Sequence, residues 1–250
     1  MTNGTTVVKP YKTSDSGKKE QVTHMFNAIA KSYDVLNHTL SLGIDKIWRR
    51  KSIALLMKNK PDTVIDIATG TADFAIEMAK HPINKIVGFD ISENMLAIGQ
   101  EKVNKLNLQN QIAFKLGDSE NISYPDNSFD AATVAFGVRN FENLLLGMTE
   151  IYRVLKPGGI LIVLELSEPE HFPMKQLYSF YFKKILPFIG KKLSKHSTAY
   201  NYLPESVANF PYGNRFLDIL TQAGFVKTNL KRFSFGIATL YSGTKKINSH

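Results

Sequence analysis

The residues of this chain best placed to do chemistry follow short β-rich runs. The first run, Thr63-Val-Ile-Asp-Ile-Ala68, contains Asp66 and leads into Thr69-Gly70-Thr71-Ala72-Asp73. A strand, a glycine loop and a helix in that order let a ligand approach backbone N–H groups closely. A second run, Lys85-Ile-Val-Gly-Phe-Asp90, ends in an acid 20 residues beyond Gly70. A carboxylate there can accept both hydrogen bonds of a ribose diol. It is spared helix capping, because Ser92 fills that role at least as well. Leu116-Gly117-Asp118-Ser119 follows a third run, and an acid at that point can accept from an adenine amino group. After a fourth run comes Ala135-Phe136-Gly137-Val138-Arg139-Asn140-Phe141. Gly137 gives access to backbone, while Arg139 and Asn140 offer polar groups to the same cleft.

The pattern limits the ligand. It is not G-x-G-x-x-G, since Ala72 stands where a second glycine would be, and no G-K-[ST] forms a phosphate loop. A nucleoside without a pyrophosphate, S-adenosylmethionine, therefore fits better than a dinucleotide. A tight βα turn and a surface turn are the bland readings of Gly70 and Asp118 taken singly. The chain has no cysteine, which excludes disulfides, Cys-ligated metals and thiol nucleophiles. Its six histidines, His24, His38, His81, His171, His196 and His250, lack metal-ligand spacing. No metal is expected.

The elements that must position these residues alternate. Strands are expected at 63–68, 85–90, 111–115, 129–135 and 160–166, with helices at 72–79, 94–106 and 143–155 between them. Such alternation implies a parallel sheet covered on both faces. A helix near 214–223 precedes two further runs, 225–231 and 237–242. Only Arg232–Gly236 joins these, which suits an antiparallel hairpin rather than a crossover. Two helices at 20–31 and 44–58 form an N-terminal extension ahead of the sheet. Residues 1–18 read as a mobile tail, and 19–247 as one domain.

At 250 residues and 28.1 kDa the chain suits one large α/β domain. No run of 18 uncharged apolar residues is present, and Met1–Glu20 lacks the apolar core of a secretory signal. A cytoplasmic location is the expectation. The net charge of +9 suggests an anionic partner. Between His171 and Pro204 there is no acid, while Lys175, Lys183, Lys184, Lys191, Lys192 and Lys195 all fall there. The insertion 171–204 contains a basic, aromatic helical segment at about 174–195, ended or kinked by Pro187. Its wide apolar arc needs covering by core, by a lipid ligand or by an anionic membrane surface. The charge accompanies apolar aromatics rather than a nucleic-acid module, so no nucleic acid is expected as partner.

Further stretches carry a resemblance. Asp66–Asp73, Val87–Asp90, Pro125-Asp-Asn-Ser-Phe-Asp130 and Arg153-Val-Leu-Lys-Pro-Gly-Gly159 resemble the successive motifs of class I S-adenosylmethionine-dependent methyltransferases. Tyr33-Asp34-x-x-Asn37-x-x-Leu40-Ser41, with Trp48 seven residues on, is similar to the N-terminal signature of the menaquinone/ubiquinone C-methyltransferase family. Arg153–Ser167 and Phe136-Gly-Val-Arg139-Asn140 are similar to that family too. The likeness spans about residues 20–245. Asp45, Leu36, Ala72 and Asp118-Ser119 depart from the family's usual residues.

The resemblance implies a Rossmann-like α/β fold: seven strands, mostly parallel, with one antiparallel strand from the C-terminal hairpin. It implies methylation of a ring carbon of a polyprenylated quinol, S-adenosyl-L-homocysteine as product, and a dimer by analogy. Thr71, Asp90, Asp118 and Ser119 match the family's cofactor positions. Asp66, Gly70, Ile91 and Ala135 complete the expected cofactor set. A ring carbon attacks well only when an adjacent hydroxyl gives up its proton, so the substrate is expected to be the reduced quinol. Arg139 is the candidate for the developing anion and Asp34 for proton removal. Tyr33, Asn37, Phe136 and Asn140 are the candidates that orient the ring. Demethylmenaquinol is the leading acceptor; a ubiquinone-type benzoquinol and another small molecule are the alternatives. A non-catalytic nucleoside-binding or quinone-carrying partner is the reading from a different class.

Overall fold

In this computed structural model, residues 8–12, 14–185 and 197–247 are described. The first strand, β1 (Thr63–Ile67), is followed by β2 (Lys85–Asp90), β3 (Ile112–Leu116), β4 (Phe129–Ala135) and β5 (Leu155–Leu166). Two late strands, β6 (Val226–Phe233) and β7 (Ala238–Thr244), complete one sheet in the order β3-β2-β1-β4-β5-β7-β6. β1 to β5 pair in parallel, and β7 runs antiparallel to both β5 and β6. This is the sheet expected from the sequence, including the single reversed strand from the hairpin.

The central strands are apolar on both sides because both faces are covered. Ile65, Ile67, Val87, Phe89 and Val134 belong to one core with Met148, Ile151, Phe216 and Leu220. Those last four come from α5 (Leu144–Val154) and from Asn214–Gln222, the last helix. Val64, Ile86, Ala131 and Ile162 point the other way, into a core with Trp48, Ile53, Phe74 and Val103. These lie on α2 (Ile44–Leu56), α3 (Asp73–Met78) and α4 (Glu93–Lys105).

Several boundaries differ from expectation, each for a physical reason. α1 (Lys18–Leu40) continues nine residues past Lys31. The apolar period stops there, but Asp34 finds polar partners across the fold and the helix carries on. Residues 8–12 and 14–17, read as part of a tail, are tied down: the Tyr11 N–H donates to Gln21 Oε1 at 2.8 Å, and Lys9 Nζ to Ser16 O at 2.9 Å. β5 starts at Leu155 rather than Ile160. Lys156-Pro-Gly-Gly is drawn into the sheet edge, where Gly158 and Gly159 exchange backbone bonds with Lys245.

The basic aromatic segment is helical throughout its described part, 174–185, as expected. α6 (Met174–Phe180) passes into a π-helical turn over Tyr181–Ile185. Pro187, Lys191, Lys192 and Lys195 lie outside the described residues. The sequence reading did not anticipate α7 (Ser197–Asn209), which carries Pro204 within it. The last helix, α8, spans Asn214–Gln222.

Candidate active site

The cleft opens at the carboxyl ends of β1, β2 and β4, where an open α/β sheet meets its ligands. The space between its walls, counted out through the open mouth, is ≈ 700 Å³. Its floor is built from loops in unusual conformations. Ala68, Gly70, Ala72 and Phe136 all have φ between 51° and 68°. The three non-glycine residues each cost roughly 1–2 kcal/mol there, and such strain gathers at ligand sites. Ala72 thus holds a glycine-like backbone without being glycine. Gly137 answers a different need: a Cβ on it would sit 2.6 Å from the Cβ of Ala68, so only glycine lets the loops after β4 and β1 close together.

Asp90 is the central polar group. Its Oδ2 accepts from Gly70 N–H and its Oδ1 from Ser92 N–H, both at 2.8 Å. Burial raises its pKa, and the backbone N–H groups of Ser92, Gly70 and Ile91 only partly offset that. Ser92 caps α4 by accepting from Met95 N–H, which leaves Asp90 facing the cleft. Asp66 lies beneath the loop rather than on the cleft wall. Its two oxygens accept from the hydroxyls of Thr69 and Thr133 at 2.7 and 2.5 Å. Burial, outweighing those hydroxyls, pushes its pKa up to about 6. Its task is to brace the β1 loop.

Nine expected residues line the cleft: Tyr33, Gly70, Asp90, Ile91, Asp118, Ser119, Ala135, Phe136 and Asn140. Five do not, and each has another engagement. Thr71, only 2% exposed, donates to Asp34 Oδ1 at 2.5 Å. Asp34 Oδ2 is paired with Lys102 at 3.0 Å. The expected proton acceptor and the expected cofactor hydroxyl thus satisfy each other, locking α1 to the β1 loop and α4. Asn37 is at hydrogen-bonding distance of the Tyr33 hydroxyl, and so orients Tyr33 from outside the cleft. Asp66 is held by Thr69 and Thr133. The Arg139 guanidinium turns away to Glu165 Oε1 at 2.6 Å and to the carbonyl of Phe136 at 2.5 Å.

The sequence reading missed the roof. α1 lies across the cleft and contributes Lys19, Val22, Phe26 and Tyr33 to its lining. Its first turn is clasped by the segment after β4: Lys18 Nζ donates to the carbonyls of Arg139 and Phe141 at 2.9 and 2.8 Å. Burial, with the positive charge of Arg139, lowers Lys18 to about 8. Lys19 Nζ reaches Asp118 Oδ2 at 2.6 Å and Glu120 Oε2 at 3.1 Å. Phe26 and Tyr33, edge to face at 5.8 Å, are seven residues apart. That two-turn spacing puts them on one face of a helix and was a usable signal. Asp45, where the resembled family differs, is buried and structural: it accepts from Ser41 Oγ at 2.6 Å and pairs with His38 at 3.2 Å.

A seven-stranded sheet in this order, with an open cleft beside an acid at the end of β2, defines a class I methyltransferase. Solved structures agree on the fold. A Thermotoga maritima S-adenosylmethionine-dependent methyltransferase, described as a possible histamine N-methyltransferase, superposes with a TM-score of 0.59 at 20% identity. The match covers 89% of this chain and 99% of that one. A Haemonchus contortus N-methyltransferase solved with S-adenosylhomocysteine gives 0.57 at 15% identity, over 82% of this chain and 57% of that one.

The chain belongs to the ubiE/COQ5 methyltransferase family, whose model matches residues 14–245. It is 50% identical to a demethylmenaquinone methyltransferase of Bacteroides fragilis, over 95% of this chain and 97% of the relative. It is 42% identical to a ubiquinone/menaquinone biosynthesis C-methyltransferase of Geobacter sulfurreducens, over 92% and 90%. The chain is an S-adenosylmethionine-dependent methyltransferase by family and by fold, as the sequence motifs implied.

Proposed function

We propose that the chain methylates a ring carbon of a polyprenylated demethylmenaquinol, giving menaquinol. The 50% identity to the Bacteroides fragilis demethylmenaquinone methyltransferase across nearly the whole chain carries this reading. A ubiquinone-type benzoquinol is the second reading, favoured by the name of the Geobacter sulfurreducens relative. The cleft suits the cofactor: a buried acid for the ribose diol, apolar Phe26, Ile91 and Met95 for a purine, and Asp118 with Ser119 at the far wall. Asp118 also holds Lys19, but each carboxylate oxygen has a second lone pair.

Bound there, S-adenosylmethionine would supply an electrophilic methyl to the ring carbon, the carbon–sulfur bond breaking toward sulfur and the displaced ring proton passing to water. The protein's part is to align the two reactants, worth up to roughly 7–11 kcal/mol. Tyr33, Phe136 and Asn140 line the cleft, and to them we assign the orienting of the acceptor ring. Purified protein, methyl-labelled cofactor and a reduced short-chain demethylmenaquinol should yield a naphthoquinone labelled on the ring. No label despite measured cofactor binding would overturn the acceptor.

A lipid acceptor has to be met at a bilayer. Among the described residues no helix is long and apolar enough to cross one. Phe172, Leu177 and Phe180 are exposed beside the exposed Lys175 and Lys184. The turn carrying Phe235, 80% exposed, abuts Pro169. Exposed aromatics among lysines suit a monotopic contact with anionic lipid at the cytoplasmic face. Reversing Lys183, Lys184, Lys191 and Lys192 to Glu should weaken binding to anionic liposomes strongly, since each lysine contributes about 1 kcal/mol near such a surface. Sedimentation equal to that of the wild type would refute the contact.

A further inference from the structure

Beside the cofactor cleft lies a set of polar groups that the cofactor does not use. Tyr178 on α6 and Tyr202 on α7 are 8% and 4% exposed, and neither hydroxyl has a hydrogen-bond partner. Arg139 Nε and Asn140 Oδ1 are also buried and unpartnered. Among the described residues only two other buried side-chain polar atoms share this state, Asp45 Oδ2 and Arg49 Nε, and these face each other at 3.5 Å. The remaining four gather around one ion pair. Tyr178 and Tyr202 both lie within electrostatic reach of Arg139 and Glu165. Unpartnered buried polar atoms are costly and rare in folded proteins. Four in one place, on three separate elements, mark a site completed by something else.

The inventory of the four groups says what completes it. Two tyrosine hydroxyls can each donate and accept, Arg139 Nε–H can only donate, and Asn140 Oδ1 can only accept. Burial pushes Tyr202 up to about 12 and raises Tyr178 as well, so both hydroxyls keep their protons. The walls are aromatic: Phe182 stacks on Tyr178 at 4.2 Å. Asn140 also lines the cofactor cleft, so the cluster borders it. A flat aromatic ring bearing two oxygens, each able to donate and accept, matches this set.

We infer that Tyr178 and Tyr202 form the subsite that holds the two ring oxygens of the acceptor, with Asn140 at its junction with the cofactor. The inference rests on the quinol reading above and adds the residues that would select a dihydroxy ring. Arg139 keeps its charge on Glu165 and offers only Nε–H to the acceptor, and the tyrosines fix the ring's rotation. A ring held by both oxygens presents one carbon edge to the methyl group. A site built to hydrogen-bond hydroxyls rejects rings that lack them.

The test is Tyr178→Phe and Tyr202→Phe, singly, in the full chain. Each variant should unfold at the wild-type temperature or above, because it removes an unpartnered buried hydroxyl. Each should lower kcat/KM for reduced short-chain demethylmenaquinol at least tenfold, with KM for S-adenosylmethionine within twofold of wild type. A quinol efficiency within twofold of wild type overturns the subsite. So does a lowered unfolding temperature together with weakened cofactor binding, the mark of a structural role. A separate thermal-shift measurement uses the same quinol as ligand, without cofactor. If wild type transfers no label yet is stabilised by the quinol, and the variants are not, the acceptor chemistry fails and the subsite stands. If the quinol leaves wild type unshifted, the subsite falls as well.

Discussion

Replacing Arg139 with alanine is expected to cost about 3–5 kcal/mol of unfolding free energy, the usual penalty for breaking a buried ion pair from one side. Glu165, at the end of β5, is 0% exposed and its Oε1 lies 2.6 Å from Arg139 Nη1. Remove the guanidinium and a carboxylate is stranded in the sheet with no cation in contact. The carbonyl of Phe136 loses its donor in the same step, on a residue already held at φ 61°. Burial alone would lower the arginine's pKa, but Glu165 outweighs it and the net shift is upward. The paired variant Arg139→Met with Glu165→Leu should recover most of the stability, since apolar residues of similar volume replace such pairs at little cost. It should not recover methyl transfer, because Arg139 Nε–H is gone from the acceptor side. Urea midpoints and turnover, measured on both variants, separate the two roles. A single variant within 1 kcal/mol of wild type would show that the pair is not the brace described.

The strands that carry the cofactor loops were legible as short, β-rich, mostly apolar runs bounded by turn residues. Lys85–Asp90 and Phe129–Ala135 match the observed strands to the residue. The hairpin was legible from connection length alone. α7 was not: Ser197–Asn209 mixes Asn, Glu and Ser with an internal Pro204, and no local rule favours a helix there. Its place depends on Tyr202, which packs with Val22 and Met25 of α1, a contact far apart in sequence.

The site divides in the same way. Backbone loops and the acid at the end of β2 follow from strand ends, so Gly70 and Asp90 could be placed from spacing. The direction of a side chain on a helix depends on what it meets. Asp34 and Thr71 belong to the right motifs, yet Asp34 meets Lys102 and closes on Thr71. Lys19 carries no motif at all, and enters the cleft wall only because α1 crosses above Asp118. Charge pairing across elements is a tertiary fact, and a single sequence does not encode it in any local spacing.

Asp90→Ala should weaken cofactor binding by roughly a hundredfold or more while leaving a folded protein. The carboxylate presents two oxygens to the cleft, each already held in place by one backbone N–H at 2.8 Å. Hydrogen bonds to a charged group contribute about 1.5–3 kcal/mol each. Losing two, from a ribose diol, weakens binding by roughly a hundredfold or more at 1.4 kcal/mol per tenfold. The loop suffers less, because Asp66 still anchors it through Thr69 and Thr133. Asp90→Asn divides the effect further. It keeps one acceptor but turns an N–H₂ toward Gly70 or Ser92, so it should bind more weakly than wild type and disturb the loop more than its size suggests. Acid should mimic it. Burial raises the Asp90 pKa, so its proton returns above the ordinary carboxylate range as pH falls. Protonation turns one oxygen into a donor and removes the charge, so affinity should decline on acidification in wild type but stay flat in Asp90→Asn over that range. Calorimetric titration with S-adenosylhomocysteine across pH reads all three. Wild-type affinity in the alanine variant would remove Asp90 from the cofactor site, and equal pH slopes in wild type and the asparagine variant would assign the titration elsewhere.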